Sequence, residues 1–120
     1  MIVYHQSSGI IDWDESSAVG YSGFGDCKNQ PLCQDKPDEG PIPQGYYTLV
    51  SLIPETPFHG PNVIVLSPDQ ANQMFGRSGF LIHGDSIVNP GQASQGCIIQ
   101  ALETRLSIWN SGDRRLQVVA

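Results

Sequence analysis

Short runs of apolar, β-branched and aromatic residues, separated by glycine and proline, recur along the chain. Runs of this kind are typical of β-strands bounded by turns. At the N-terminus, residues 1–5 and 10–13 flank the turn Ser7-Ser8-Gly9 and are predicted to pair as a hairpin. Five further segments predict strands: 18–21, 46–53, 62–66, 79–83 and 116–119.

Two other segments predict short helices. In 67–76 a serine cap precedes a proline at the first helical position, and Gln70 completes a capping box. The second helix is predicted to begin near Cys97 and to end at Asn110 and Gly112. Its apolar face has residues at helical spacing: Ile98, Leu102, Leu106 and Trp109.

Composition supports a small, strand-rich fold. The chain has 120 residues, which is the length of one ordinary domain. Hydrophobic residues make up 39% and charged residues 15%, with 13 Gly and 9 Pro. That balance favours a turn-rich β-domain over a helical bundle. The turn residues concentrate in 22–45, which predicts a long loop. We therefore expect a single, mainly β domain over residues 1–120, with two short helices.

Charge and hydropathy exclude several functions. Twelve acidic and six basic residues give a formal charge of −6, so neither nucleic acid nor anionic lipid is an expected partner. No apolar run approaches the length of a bilayer span, so membrane insertion is not expected. The N-terminal residues 1–6 lack a basic region and a long apolar core. We expect no Sec-type signal peptide and synthesis in the cytoplasm.

The three cysteines form an odd set. Cys27 and Cys33 lie six positions apart, close enough for a disulfide in an oxidising compartment. Two unpaired thiols on a loop fit the same spacing, so the sequence leaves both states open. Cys97 is left over in either case.

His83 and Cys97 have surroundings that suit catalysis. His83 ends an apolar strand, and Cys97 begins the second predicted helix. A helix N-terminus favours a thiolate, and an adjacent imidazole would activate it. The backbone N–H groups of Gly96 and Cys97 would then form an oxyanion hole. The alternative is that Cys97 is a small core residue, because free cysteines are often buried.

These residues carry a family resemblance. His83-Gly84, followed by Ser94-x-Gly96-Cys97, resembles the active-site signature of the YkuD-type L,D-transpeptidases, in which a His-Gly pair precedes Ser-His-Gly-Cys. A closer resemblance is to small L,D-transpeptidase-like toxins delivered by type VI secretion. That resemblance rests on four motifs in order: Tyr4 with Ser8-Gly9, Gly20 to Gly25, the turn Gly40-Pro-Ile-Pro-Gln-Gly45, and His83-Gly-Asp with Ala93-Ser-x-Gly-Cys-Ile.

The resemblance implies a β-sandwich-like domain whose cysteine attacks peptidoglycan stem peptides without a metal or organic cofactor. The expected activity is L,D-carboxypeptidase cleavage or exchange on tetrapeptide stems, in the periplasm of a target bacterium. Expected partners are a cognate immunity protein and type VI secretion components. The residues implied in catalysis are His83, Cys97, Ser94 and Gly96, and those implied in substrate binding are Gly84, Asp85, Gln95 and Tyr21.

Two positions depart from the housekeeping enzymes. Gln95 stands where they have a second histidine, and Ile99 replaces an arginine associated with the substrate site. His5 and His59 are interpreted as incidental surface residues. Two other functions remain open: another cell-wall cysteine peptidase or amidase, and a non-catalytic module that binds zinc. The ligands of that zinc module would be Cys27, Cys33, His83 and Cys97.

Overall fold

The structure is a computed structural model that describes all residues, 1–120. Nine strands form one sheet, in the order β3-β2-β1-β9-β5-β6-β7-β8-β4. The strands are β1 Ile2–His5, β2 Ile10–Trp13, β3 Ser16–Val19, β4 Tyr21–Ser22, β5 Gly45–Thr56, β6 Gly60–Pro68, β7 Leu81–His83, β8 Ile98–Ile99 and β9 Arg115–Val119. One α-helix, α1, covers Leu102–Asn110, and 3₁₀ turns cover Gly25–Cys27 and Pro31–Cys33. The prediction of a mainly β fold is confirmed.

The last strand joins the two halves of the sheet. β9 lies between β1, to which it runs parallel, and β5, to which it runs antiparallel. The predicted N-terminal hairpin is present, with β1 antiparallel to β2. Fifteen buried apolar residues form one core cluster, which includes Ile2, Tyr4, Ile82 and Ile98. Full burial of one such side chain stabilises the fold by roughly 1.5–3 kcal/mol.

The prediction of a helix over residues 67–76 is wrong. Ser67 and Pro68 continue β6 and pair with Thr48 and Tyr47 of β5, so the expected cap residue belongs to the sheet. The remainder of the segment forms turns. It has too few apolar side chains to form a helical stripe that tertiary packing would stabilise. Its Asn72 side chain instead bonds both backbone groups of a β5 residue, Tyr46.

The start of the second predicted helix is also wrong. Ile98 and Ile99 form β8, parallel to β7, and α1 begins only at Leu102. Both isoleucines are buried, and β-branched residues pack well in a strand that has neighbours on each side. The predicted end is confirmed, since α1 stops at Asn110. Cys97 therefore precedes a strand and receives no helix macrodipole.

Within the loop between β4 and β5, a disulfide joins Cys27 to Cys33 and closes the short segment between them; their Cα atoms lie 5.6 Å apart. This result selects the bridged state of the two that the spacing left open. Closing a loop of this length stabilises the fold by about 2 kcal/mol in the chain-entropy account. The structure contains no helix that is both long and apolar enough to cross a bilayer.

Candidate active site

The pairing of β7 with β8 brings His83 and Cys97 to one cleft. In this parallel ladder Ile82 pairs with Ile98, and His83 pairs with Ile99. Side chains alternate between the two faces of a sheet, and Ile82 and Ile98 both join the core. The side chains of His83 and Cys97 therefore point to the opposite face of the sheet. They are diagonal neighbours, because His83 follows Ile82 and Cys97 precedes Ile98. Both line a cleft of about 1280 Å³.

His83 is arranged as a neutral base. Its side chain is 3% exposed, and Nδ1 lies 2.8 Å from the carbonyl oxygen of Gly84. Because a carbonyl only accepts hydrogen bonds, this contact requires the proton on Nδ1 and leaves the lone pair of Nε2 free. Burial lowers the pKa of His83 from its usual value, mainly by desolvating the charged form. A neutral imidazole with a free Nε2 can accept a proton.

Cys97 is protonated near neutral pH. Burial raises the pKa of the Cys97 thiol, and this effect exceeds the opposing effects of a Leu81 backbone hydrogen bond and the Arg77 charge. The thiolate expected from a helix N-terminus is therefore not supported. The site holds a neutral thiol and a neutral imidazole, so the thiolate forms when His83 takes the proton.

This charge state predicts how alkylation of Cys97 depends on pH. Only the thiolate reacts, so the rate with iodoacetamide should keep rising above the pH at which an ordinary thiol reaches its plateau. Mass-spectrometric rates between pH 6 and 10 test this, with the urea-unfolded protein as the ordinary thiol. A rate already at its plateau at pH 6 would show a preformed thiolate instead.

Ser94 shapes the backbone around the thiol. It is fully buried, and its hydroxyl accepts hydrogen bonds from the N–H groups of Gly23 and Gly96, at 2.9 and 3.1 Å. It donates to the carbonyl of Cys97 at 2.6 Å. The structure therefore places Ser94 behind the nucleophile, outside the residues that line the cleft.

The expected oxyanion hole is only half available. The N–H of Gly96 is bonded to Ser94, so it cannot stabilise an oxyanion without breaking that contact. The N–H of Cys97 has no hydrogen-bond partner within the protein. It is the remaining main-chain donor of the predicted pair.

Arg77 is a site residue that the sequence did not indicate. Its side chain is 8% exposed, and its guanidinium donates to four carbonyls. The carbonyls of Gln34, Pro41 and Gly40 belong to the long loop between β4 and β5. The carbonyl of Gln95 belongs to the loop 84–97 between β7 and β8, which we call the nucleophile loop. A Cβ atom on Gly96 would lie 2.5 Å from Nη2 of Arg77, which explains the glycine there.

Arg105 is a second buried cation at the cleft. This α1 residue is 3% exposed and donates to the carbonyls of Pro61, Asn62 and Gln100. It therefore ties the β5–β6 hairpin to the end of β8. Its charge helps to lower the pKa of His83. Arginine–carbonyl contacts of this kind join segments far apart in sequence, so no local pattern identifies them.

The predicted substrate-binding residues divide into two groups. Gly84, Asp85 and Gln95 line the cleft, whereas Tyr21 does not. The Tyr21 hydroxyl donates to Asp85 at 2.6 Å and accepts the N–H of Ala93 at 2.9 Å. Burial and the Asp85 contact raise the pKa of Tyr21 to about 12. Tyr21 therefore fixes the loop between β7 and β8.

A family model described as the Tlde1 domain matches residues 16–120. The chain belongs to the Tlde1 domain family. Tlde1 proteins are a family of type VI secretion L,D-transpeptidase effectors. The matched range includes both His83 and Cys97. No curated protein and no solved structure gives a significant match.

His59 is exposed, as expected of a surface histidine, but in this Tlde1 domain it is not incidental, because it lines the cleft and contacts His83. The centroids of the His59 and His83 rings lie 4.5 Å apart, with 39° between the ring planes. The residue belongs to the turn between β5 and β6, 24 positions before His83. Its contact depends on the docking of a hairpin, which the sequence pattern around His59 does not reveal.

The disulfide also bears on the zinc-binding alternative. In this Tlde1 domain Cys27 and Cys33 are bonded to each other, so neither sulfur is a free thiolate ligand. The four-ligand set of that alternative is reduced to His83 and Cys97. The zinc module is therefore not supported by this structure.

Proposed function

We propose that residues 1–120 form a single catalytic domain of the YkuD-type superfamily that modifies bacterial peptidoglycan. Its activity would be L,D-carboxypeptidase cleavage or exchange on tetrapeptide stems. The observation that carries this proposal is the placement of His83 and Cys97 on one sheet face, in one cleft. Cys97 is the one free cysteine, and His83 keeps Nε2 available for its proton.

The proposed reaction begins when Nε2 of His83 accepts the thiol proton of Cys97. The sulfur attacks the carbonyl carbon between the L-centre of the diamino acid and the terminal D-alanine. The carbonyl electron pair moves to oxygen, and the Cys97 N–H stabilises that oxyanion. When the tetrahedral intermediate collapses, the C–N bond breaks and His83 returns the proton to the leaving amine. D-Alanine departs and a thioester remains.

The thioester is then released by a small nucleophile. Water attacks it to give a tripeptide, and the amine of a free D-amino acid attacks it to give an exchanged tetrapeptide. His83 accepts the proton of the nucleophile and returns it to the Cys97 sulfur. These steps use the protein's own residues and require no metal or cofactor.

The cleft chemistry suits the charge of a stem peptide. Tetrapeptide stems carry carboxylates, and Arg77 and Arg105 place two positive charges at the cleft of an otherwise acidic protein. Neither arginine forms a salt bridge with a carboxylate of the protein. Asp38, Glu39 and Asp85 also line the cleft, so the attraction for a stem carboxylate is local to the two guanidinium groups.

Hydrolysis and exchange are proposed over crosslinking. Ile99 is 3% exposed on β8, between β7 and β4, so no cation at that position meets the donor stem. Crosslinking requires two stems to be held together, whereas exchange requires one stem and a small amine. Positioning a second large substrate has the greater entropic cost.

We propose that the protein acts in the periplasm of the target cell, where its proposed substrate, peptidoglycan, lies. Membership of a type VI effector family implies that the protein is secreted into target cells. It also implies two kinds of partner, an immunity protein and components of the secretion machinery. We propose that the cognate immunity protein protects the producing cell from this activity. Toxicity should therefore require delivery of the protein to the periplasm, which expression with and without an appended Sec signal measures.

The decisive test is to incubate the protein with purified disaccharide-tetrapeptide, with and without D-methionine. Mass analysis should find tripeptide and D-methionine-exchanged tetrapeptide, both absent with Cys97→Ala and His83→Ala. Thermal unfolding of both variants verifies that they are folded. Products from Cys97→Ala would contradict the mechanism. Cleavage at another bond would identify a different wall peptidase or amidase, and dominant crosslinks would refute the preference for exchange.

A further inference from the structure

The hairpin of β5 and β6 carries a histidine into the cleft on a constrained turn. Thr56 accepts the N–H of His59 at 3.0 Å and donates to the carbonyl of Gly60 at 2.8 Å. These bonds close the turn on itself. His59 and its neighbours Phe58, Gly60 and Pro61 all line the cleft. The turn therefore holds the His59 backbone in a defined position at the cleft.

The start of β6, directly after this turn, is fixed to the end of β8 through Arg105. Arg105 donates to Pro61 and Asn62 of β6 at 3.0 Å each, and to Gln100 directly after β8 at 2.6 Å. The side chain that carries these three bonds is 3% exposed. Charge-assisted hydrogen bonds at a buried site hold their partners firmly. The hairpin is thus set in a fixed relation to Cys97, three residues before Gln100.

The His83 ring needs a second restraint. Its one hydrogen bond in the protein, from Nδ1 to Gly84, fixes an edge of the ring but leaves it able to swing about that contact. The His59 ring, at 4.5 Å between centroids, covers a face of His83. Contact on a ring face opposes the swing, so the hydrogen bond and the stack together fix the direction of Nε2.

We propose that His59 is a positioning residue that holds the His83 imidazole with Nε2 directed at Cys97. The inference rests on the proposed role of His83 as the base. The hairpin thereby brings a second imidazole to the site.

The stack also affects the charge on His83. The groups that face His83 are His59, Arg105, Asp85 and the Cys97 thiol of the same cleft. Burial lowers the pKa of His83 and the hydrogen bond with Gly84 raises it; smaller electrostatic effects of His59 and Arg105 lower it, and that of Asp85 raises it. Removing the His59 ring takes away a lowering contribution, so the pKa of His83 should rise.

The chain has three histidines, so an NMR titration can follow each ring, assigned by substitution. His59→Ala should raise the pKa of His83 and lower kcat for tripeptide formation about tenfold with little change in KM, because a misdirected base is a geometric defect. His59→Phe keeps an aromatic face and should restore most of kcat, yet still raise that pKa. His5→Ala, which removes a distant ring paired with Asp12, should change neither.

The two readouts separate this inference from the proposed function. Absence of activity on tetrapeptide in the wild type would refute the function, while the titration would still test whether His59 acts on His83. An unchanged pKa and an unchanged kcat in His59→Ala would overturn the inference. So would a kcat for His59→Phe as low as that for His59→Ala, since it would mean that no positioning stack exists.

Discussion

Replacing Arg77 with methionine should lower the free energy of unfolding by about 3–5 kcal/mol and remove Cys97-dependent activity. Methionine keeps an apolar stem of similar length but donates no hydrogen bond. The four carbonyls that Arg77 now bonds would lose their donor in a largely buried place. A buried polar group left without a partner costs roughly 1–3 kcal/mol.

The loss of activity follows from where those carbonyls lie. Three belong to the part of the β4–β5 loop that follows the disulfide, and the fourth belongs to Gln95, two residues before Cys97. Arg77 therefore holds the nucleophile loop against the long loop. Its charge also favours the Cys97 thiolate, so the pKa of the thiol should rise further in the variant.

Urea unfolding and the rate of tripeptide formation measure the two effects. Lys36→Met is the matched control, because Lys36 is exposed and its side chain makes no hydrogen bond or salt bridge in the structure. It should change both quantities little. If Arg77→Met were as stable and as active as Lys36→Met, the structural role of this guanidinium would be refuted.

The strands were predictable because their signal is local. The runs 46–53 and 62–66 have apolar, β-branched character and lie between turn residues, and both became strands, longer than predicted. The capping signal at Ser67 failed because it is also local. Pairing with Thr48 of β5 keeps that serine in the sheet, and the sequence around Ser67 contains no information about that partner.

The prediction of a helix directly after Cys97 failed for a different reason. Ile98 and Ile99 form an apolar pair too short to distinguish a strand from the first turn of a helix. The helical spacing from Leu102 onwards is confirmed, but the predicted helix began near Cys97, about five residues too early. Pairing with β7 decides the structure of the pair, because that places Ile82 and Ile98 together in the core.

The candidate site was only partly predictable. His83 and Cys97 could be named because their motif is contiguous in sequence, although their roles stay a proposal. His59, Arg77 and Arg105 could not. Each makes contacts with residues far away in sequence: His59 with the ring of His83, and the two arginines with backbone carbonyls. Carbonyl acceptors are the same at every residue, so the sequence does not show where a buried arginine will find them.

Ser94→Ala should be the most informative substitution next to the nucleophile. The Ser94 hydroxyl bonds three backbone groups, at Gly23, Gly96 and Cys97, and its removal leaves all three without that partner at a fully buried position. We expect the free energy of unfolding to fall by about 3 kcal/mol or more. The N–H of Gly96 and the carbonyl of Cys97 would then reorient, and the Cys97 N–H would lose its direction towards the oxyanion.

We therefore expect the activity of Ser94→Ala to fall because its nucleophile loop is less ordered. The readouts are urea unfolding, the rate of tripeptide formation and the rate of Cys97 alkylation, which should rise as the thiol becomes accessible. Ser8→Ala is the control, because its hydroxyl only accepts one exposed N–H, from Ile10, and lies outside the cleft, so it should alter none of the three. If Ser94→Ala lost activity while its stability and alkylation rate stayed at wild-type values, Ser94 would take part in the chemistry itself, and its assignment as a structural residue would be wrong.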